Sequence, residues 1–217
     1  MGSVGTMTGL AGQLVVEWRS ADVQVTARAG SGAVVATAMV APESNLDATC
    51  SDLLSSLDSL GGAASVVVNA LPGLVVVDTT GAALAVLVGD EPDTTPDAGW
   101  LTGRLPGKAD DWVATVGSAP AASWMLAKLS YVHRAMAAEW AAMAQALTPQ
   151  AWLVHQLTGA ATTDAADMLR TGVWAMGAYQ HQLLAIVDPA VKWPDLLPAV
   201  SAEGELGRWR GVPVLGA

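Results

Sequence analysis

The histidines and the Gly-rich stretch of this chain are candidates for chemistry, but they form no complete motif. The three histidines, His133, His155 and His181, are 22 and 26 residues apart, so no pair has the close spacing of a metal site on one helix. The stretch 102–109 faintly resembles a phosphate-binding loop, but its first glycine is replaced by threonine and its final hydroxyl by alanine. A loop rich in Gly and Pro is the simpler interpretation. There is no G-x-S-x-G pattern to support a serine hydrolase.

Composition excludes several classes of protein. A net charge of −10 repels nucleic acids and anionic membrane surfaces. Cys50 is the one cysteine, which excludes a disulfide framework and a zinc site built from cysteines. The apolar stretch 63–88 is interrupted by polar and turn residues, and its pieces are too short to span a membrane. Without a secretory signal at its start, the chain is expected in the cytoplasm.

The first half of the sequence predicts an antiparallel meander followed by a mixed α/β unit. Residues 1–12 are small and are expected to form a flexible tail, with one domain over residues 13–217. Alternating and β-branched runs predict strands, and the spacing of leucines predicts one helix. The strands are Leu14–Val16, Val23–Ala27, Ala33–Ala38, Val66–Val68 (central and buried on both sides), and a hairpin of Leu74–Asp78 with Leu84–Val88; the helix is Asp47–Leu60.

The second half is predicted to be mainly helical after a loop at 91–118. Apolar residues at helical spacing predict a long helix from Ala121 to Leu147. Thr148 can cap the next helix, with Pro149 at its first position and Gly159 as its left-handed end. Further elements are a helix beginning at Thr162–Asp164 and running past Leu169 and Val173, a helix over Tyr179–Val187 and a strand over Val212–Leu215.

The order of these parts resembles a known family. A helix, a Leu-Thr-Gly turn at 157–159, a Thr-Asp helix start and a Trp follow one another as in the FGGY carbohydrate kinases. The stretch Lys128–Tyr131 is similar to that family's Lys-Leu-x-aromatic helix, and the resemblance covers residues 14–217. It implies a ribonuclease-H-like α/β fold, a mixed sheet flanked by helices, as in sugar kinases and actin. It also implies phosphorylation of a sugar or polyol, with ATP and Mg²⁺ as cofactors.

The resemblance assigns a phosphate loop to the first strand and turn. In the family this unit reads Asp-Leu-Gly-Thr-Ser, whose backbone amides and hydroxyls hold the phosphates of ATP. Glu17, Arg19 and Ser20 occupy the positions of the acid, the glycine and a hydroxyl. The Arg19 side chain obstructs close approach of the backbone to phosphate. Two alternatives stay open: Arg19 contacts phosphate through its charge, or it is a surface arginine on a plain hairpin.

The resemblance also assigns two sugar-contacting motifs. The family's Gln-x-His-Gly corresponds to Ala70–Gly73, in which Gly73 alone is kept. The alkyl side chains in this motif cannot hydrogen-bond a polyol, so the polar discrimination of a sugar site is lost. The next motif, Trp-x-Asp-x-Arg, corresponds to Val88–Pro92 and retains Asp90. Asp90 is either a sugar ligand or an aspartate that forms a turn.

Three hypotheses for function follow. The leading one is the N-terminal domain of a xylulokinase-like sugar kinase. It is expected to be inactive alone, because the family's catalytic Asp follows the strand that Val212–Gly216 resembles and the sequence ends at Ala217. The second is a non-catalytic relative that binds a protein or small ligand, motivated by Leu71 and Pro72. The third is a sugar-binding module that retains affinity through Asp90.

One expectation concerns association. If the domain lacks a second lobe, the edge of its last strand is expected to be exposed and apolar. The isolated domain is then expected to self-associate, either as a homo-oligomer or through the surface that a C-terminal lobe would cover.

Overall fold

The computed structural model describes residues 12–19, 22–40, 46–59, 62–89 and 92–217. Most of the predicted tail, the end of the first predicted helix, and the site candidates Ser20 and Asp90 lie outside the described residues.

The described chain contains runs of strands and runs of helices. The strands are β1 (Gln13–Trp18), β2 (Val23–Arg28), β3 (Val34–Val40), β4 (Val66–Ala70), β5 (Gly73–Val77), β6 (Ala83–Val88), β7 (Gln145–Leu147), β8 (Thr162–Asp164), β9 (Trp174–Ala175), β10 (Ala178–Tyr179), β11 (Ala199–Ser201), β12 (Glu205–Trp209) and β13 (Val212–Gly216). The helices are α1 (Leu46–Ser59), α2 (Thr95–Thr102), α3 (Ala109–Val116), α4 (Met125–Ala135), α5 (Ala137–Ala142), α6 (Pro149–Thr158), α7 (Ala165–Met168) and α8 (His181–Val187), with a 3₁₀ turn at Trp193–Asp195.

The largest sheet has six strands in the order β12-β13-β4-β1-β2-β3. Strands β13, β4 and β1 are parallel, and the other pairs are antiparallel. The predicted meander β1–β3 and the central position of β4 are therefore confirmed. Burial of β4 on both faces is wrong, since its buried residues alternate with partly exposed ones. The strand that is buried throughout is β5.

Two apolar clusters hold these elements together. In the first, one face of the large sheet packs with residues of α1 and α6, and the Trp18 and Trp152 rings lie 5.5 Å apart. The second cluster surrounds α4, whose residues Met125, Leu126 and Leu129 are fully buried, and it includes Trp112 of α3. Burial of this kind is the main favourable contribution to folding.

A three-stranded antiparallel sheet, β6-β5-β7, contributes residues to both clusters. Val75 and Val77 belong to the first cluster, and Leu74 and Val76 belong to the second. The predicted hairpin of β5 and β6 is confirmed. The single long helix predicted from Ala121 to Leu147 is wrong. Met136, with φ −129° and ψ 63°, separates α4 from α5, and the Ala144 N–H donates to the Val77 carbonyl to bring β7 onto β5. Tertiary strand pairing overrides helical spacing there.

Three further expectations are corrected. The stretch 91–118, predicted as loop, contains α2 and α3. The helix begun at Asp164 ends at Met168, so Leu169 is exposed. Tyr179 belongs to β10, and the helix after it begins at His181.

The last strand is not an exposed edge. Strand β13 is hydrogen-bonded to β12 on one side and to β4 on the other, which contradicts the premise of the expected self-association. The sequence pattern did not predict strand β12. The outer strands are β12 and β3, and β3 exposes Val34, Val35 and Met39.

Within the described residues, no helix combines the length and apolar character needed to cross a membrane.

Candidate functional site

The parallel strands β1 and β4 end side by side, and the described site candidates Glu17, Arg19 and Gly73 lie at or near this carboxyl edge. Trp18 is in register with Ala70, and Glu17 with Asn69. The Leu71 N–H donates to the Trp18 carbonyl at 3.1 Å, so the chain leaving β4 stays against the end of β1. In open α/β sheets ligands bind beyond the carboxyl ends of the strands. We call this region the carboxyl edge.

Glu17 and Arg19 form an ion pair at this edge. The Arg19 Nη2 lies 2.8 Å from Glu17 Oε2, with side chains 54% and 33% exposed. The Arg19 N–H donates to the Asp22 carbonyl at 2.8 Å within the β1–β2 connection. An exposed pair of this kind contributes little to stability. The carboxylate on Arg19 would compete with any phosphate for the guanidinium, so its role in phosphate binding stays a prediction.

Close packing explains why position 73 is a glycine, without a role in sugar binding. A Cβ on Gly73 would overlap the Leu87 carbonyl oxygen and lie 3.0 Å from the Val88 Cα. The Gly89 N–H donates to the Pro72 carbonyl at 3.1 Å, which ties the end of β6 to the start of β5. Asp90 follows Gly89 directly in sequence. The segments that correspond to the two sugar motifs, 70–73 and 88–92, are thus hydrogen-bonded to each other at Gly89.

Gly73→Ala is expected to lower the free energy of unfolding by about 1–3 kcal/mol, the cost of overpacking a tight contact. Urea denaturation followed by circular dichroism measures this change. Gly99→Ala is the matched control, because no heavy atom lies within 4 Å of its Cβ position. Gly99 lies within α2, so alanine there should leave stability unchanged or raise it. Equal behaviour of the two variants would contradict the packing account.

Arg170 is a cation at the carboxyl edge that the sequence analysis did not select. Its Nη2 donates to the Ala70 carbonyl at 3.2 Å and to Asp167 Oδ1 at 3.0 Å. Its side chain is 40% exposed, whereas that of Asp167 is 2% exposed. A buried carboxylate therefore holds a guanidinium beside the last residue of β4.

Asp167 is the centre of a polar cluster that consists of Thr148, Gln150, Thr163, Asp164 and Asp167. All but the partly exposed Asp164 are buried, and we call the group the buried polar cluster. The hydroxyls of Thr148 and Thr163 donate to Asp167 Oδ2 at 2.5 and 2.7 Å. Gln150 Nε2 donates to Asp164 Oδ2 at 2.8 Å, and Asp164 Oδ1 accepts from the Asp167 N–H at 2.8 Å. The cluster joins β8, α6 and α7.

Burial raises the pKa of Asp167 above its ordinary value. The hydrogen bonds from Thr148 and Thr163 and the charge of Arg170 act in the opposite direction, and the charge of Asp164 adds to the increase. Burial also raises the pKa of Tyr179, with a further contribution from Asp167. A buried carboxyl with several donors stabilises one arrangement of its neighbours.

The buried polar cluster reaches the end of β13. Asp164 Oδ2 occupies the space that a Cβ on Gly216 would need, and Gly216 is in register with Val68 of β4. The sequence predicted Thr148 as a helix cap and Asp164 as a helix start. Both are confirmed, since each accepts a backbone N–H of the following helix. The contacts that link the caps to Asp167 had no local sequence signal.

The resemblance implies ATP and Mg²⁺ as cofactors, and the described residues at the carboxyl edge are poorly suited to both. No group of three or more His, Cys, Asp or Glu side chains in the described part of the chain could hold a metal ion. Glu17 is paired with Arg19, and an arginine side chain stands where close backbone contact to phosphate would be needed. The described residues of this turn therefore do not fit ATP or Mg²⁺.

The histidines have separate surroundings. His133 Nε2 lies 3.8 Å from Asp188 Oδ2, and the ring of His181 is 6.4 Å from that of Tyr179. His155 lies in α6, and its buried Nδ1 has no hydrogen-bond partner among the described residues. Burial lowers the pKa of His155.

His155 is expected to make stability depend on pH. Its pKa is lowered in the folded state, so the unfolded chain binds the proton more readily. This contribution is fully present above the unfolded pKa of about 6.5 and is lost as the pH falls below it. Because the side chain is partly solvated, the loss should be less than about 1 kcal/mol. In urea unfolding at pH 7.5 and 5.5, His155→Gln should show a smaller decrease than the wild type; equal decreases would contradict the assignment.

The chain is similar to known sugar kinases. It is 36% identical over 141 residues to a xylulose kinase from Streptomyces coelicolor, which covers 62% of this chain and 28% of that protein. It is 32% identical over 166 residues to a xylulose kinase from Streptomyces rubiginosus, which covers 74% of this chain and 33% of that protein. These matches span about a third of the length of the curated relatives or less. No protein-family model matches the chain.

Solved structures of sugar kinases share the fold of this chain. The crystal structure of xylulose kinase from Rhodospirillum rubrum aligns with a TM-score of 0.78 and 18% identity, over 94% of this chain and 48% of that one. At this identity the alignment shows the fold, and it confirms the ribonuclease-H-like α/β class with helices flanking a mixed sheet. The sequence matches to xylulose kinases and this shared architecture together show that the chain is a xylulokinase-like N-terminal domain of the FGGY carbohydrate kinase family.

Proposed function

We propose that this chain is the substrate-side domain of an ATP-dependent sugar or polyol kinase and that it transfers no phosphate by itself. The observation that carries the proposal is its sequence similarity to two xylulose kinases, at 36% and 32% identity. The carboxyl edge supports a ligand site in this domain, because the ends of β1, β4 and β13 and the β5–β6 hairpin meet there.

The inactivity rests on the groups at the carboxyl edge. Phosphoryl transfer requires that both substrates be positioned and that developing charge be neutralised. Arg19 replaces a glycine of the phosphate loop, and Ala70 and Pro72 replace the Gln and the His of the sugar motif. ATP and Mg²⁺ would then have to be held by residues outside the described ones, such as those of a second lobe.

A second candidate function is a non-catalytic module that binds a small ligand or a protein. Leu71 and Pro72 favour it, because both are partly exposed beside the end of β1. An alkyl lining at this edge suits an apolar group better than a polyol. The cytoplasmic location expected from the sequence fits both candidates and stays a prediction.

Calorimetric titration with D-xylulose tests the substrate-side role. If Asp90 is a sugar ligand, the wild type gives saturable heat and Asp90→Ala reduces the affinity by about tenfold or more, the effect of one lost charged hydrogen bond. Asp110→Ala is the control, since Asp110 is an exposed residue of α3. Heat that is equal in all three proteins would remove Asp90 from the site. Absence of heat in the folded wild type would favour the non-catalytic module.

A further inference from the structure

A pocket of about 470 Å³ opens between α2, α4 and α8. Its volume is within the range of small-molecule sites. None of its lining residues belongs to the carboxyl edge or to the buried polar cluster. It is therefore separate from the site of the proposed function.

One wall of the pocket holds a fixed cation. Arg134 Nη2 donates to Asp97 Oδ2 at 2.9 Å, and Arg134 Nε donates to Asp97 Oδ1 at 3.3 Å. Asp97 is only 3% exposed and also accepts from Ser130 Oγ at 3.2 Å. The Arg134 side chain is 60% exposed. A guanidinium has five N–H donors. Among the described residues, Arg134 donates to Asp97 through two of its nitrogens, Nε and Nη2.

Another wall of the pocket is apolar. Trp100 is 39% exposed, and Pro96 and Val187 line the same space. The Arg104 guanidinium carbon lies 4.0 Å from the centre of the Trp100 ring, so the indole is stacked on one side. Stacking of this kind fixes the ring orientation and adds positive charge close to it.

His133 adds a polar group at the same pocket. Its ring lies 4.6 Å from that of Trp140, and its Nε2 is 3.8 Å from Asp188 Oδ2. The cations near the pocket are thus Arg134, Arg104 and, when protonated, His133. The acid that lines the pocket, Asp97, is already neutralised by Arg134.

From this arrangement we propose that the pocket binds a small molecule with a planar apolar body and one anionic group. The body would lie against Trp100, Pro96 and Val187, and the anion would accept hydrogen bonds from Arg134. A guanidinium held by a buried carboxylate is preorganised, so little rotamer entropy is lost on binding. The net charge of −10 repels anions in general, so recognition depends on the local cations.

Phenyl phosphate is a suitable probe, measured by tryptophan fluorescence and by calorimetry on the full chain. Benzyl alcohol carries the ring without the charge, and inorganic phosphate carries the charge without the ring. We expect phenyl phosphate to bind at least about tenfold more tightly than either, since charged hydrogen bonds and ring contacts each contribute that much. Equal binding of inorganic phosphate, or of benzyl alcohol, would overturn the proposal.

Variants separate the site from non-specific binding. Trp100→Ala leaves the Asp97–Arg134 pair in place and should weaken phenyl phosphate binding about tenfold. Arg134→Gln should weaken it by a similar factor, with folding checked by thermal melting because Asp97 loses its partner. Arg208→Gln is the control, since Arg208 forms an exposed pair with Glu205 of β12. Unchanged affinity in Trp100→Ala, or no binding to the wild type up to about 10 mM, would refute the pocket.

Discussion

Asp167→Ala is expected to lower the free energy of unfolding by about 2–5 kcal/mol, because two buried hydroxyls lose their acceptor at a cost of about 1–3 kcal/mol each. The change leaves the hydroxyls of Thr148 and Thr163 and the Arg170 guanidinium without their common acceptor. Unsatisfied buried donors are costly because they have lost water without gaining a partner. The loss should also weaken the support beneath Ala70, since Arg170 bonds to both residues.

Urea unfolding of three proteins measures this effect. Asp110→Ala, on the exposed surface of α3, should change the unfolding free energy by less than about 0.5 kcal/mol. Asp167→Asn keeps the size of the side chain and one acceptor oxygen. Its loss of unfolding free energy should therefore be larger than that of Asp110→Ala and smaller than that of Asp167→Ala. An Asp167→Ala protein within about 1 kcal/mol of the wild type would show that the cluster is not a structural centre.

Trp152→Ala is the second large effect, with an expected loss of about 3–5 kcal/mol of unfolding free energy. Trp152 is 2% exposed, and its ring lies 5.5 Å from that of Trp18. Removing it opens a cavity between α6 and the end of β1, which is part of the carboxyl edge. Ring–ring contacts add about 0.5–1.5 kcal/mol to the area buried.

The matched control for Trp152 is Trp100→Ala, in which the lost ring is 39% exposed. This variant should lose less than about 1.5 kcal/mol, because little apolar area is removed from the core. Trp152→Phe should recover most of the stability, since the buried indole Nε1 has no hydrogen-bond partner among the described residues. Chemical unfolding that ranks Trp100→Ala as the more destabilising change would contradict this description of the core.

Short-range signals made part of the fold predictable. Thr148, Pro149 and Gly159 define the bounds of α6 by rules that depend on neighbouring residues only. The meander β1–β3 follows from alternation and short connections in the same way. These features were correct because local chemistry decides them.

Long-range contacts explain the errors. Strand β7 was predicted as helix because Gln145–Leu147 continues an apolar helical spacing, and its pairing with β5 comes from residues some 70 positions away. Helix α2, with Pro96 in its first turn, and α3, with Asp110 and Asp111 in its first turn, carried start signals. The Gly and Pro around them favoured a loop instead.

The candidate site also contains residues that the sequence could indicate and residues that it could not. Glu17 and Gly73 could be selected because the family motif marks their positions, and their strands β1 and β5 are confirmed. The roles of Ser20 and Asp90 stay predictions. Arg170 could not be found, since its contact with Ala70 joins residues 100 positions apart. The pocket beside Arg134 also depends on a distant partner, Asp97.

We propose that a sugar-kinase domain is kept here while the groups that hold its substrates are replaced. The most direct test incubates the folded chain with ATP, Mg²⁺ and a panel of pentuloses, pentitols and glycerol, with an active xylulose kinase in parallel, and measures ADP. The account predicts no ADP above a protein-free blank. Sugar-dependent ADP formation above that blank would contradict it.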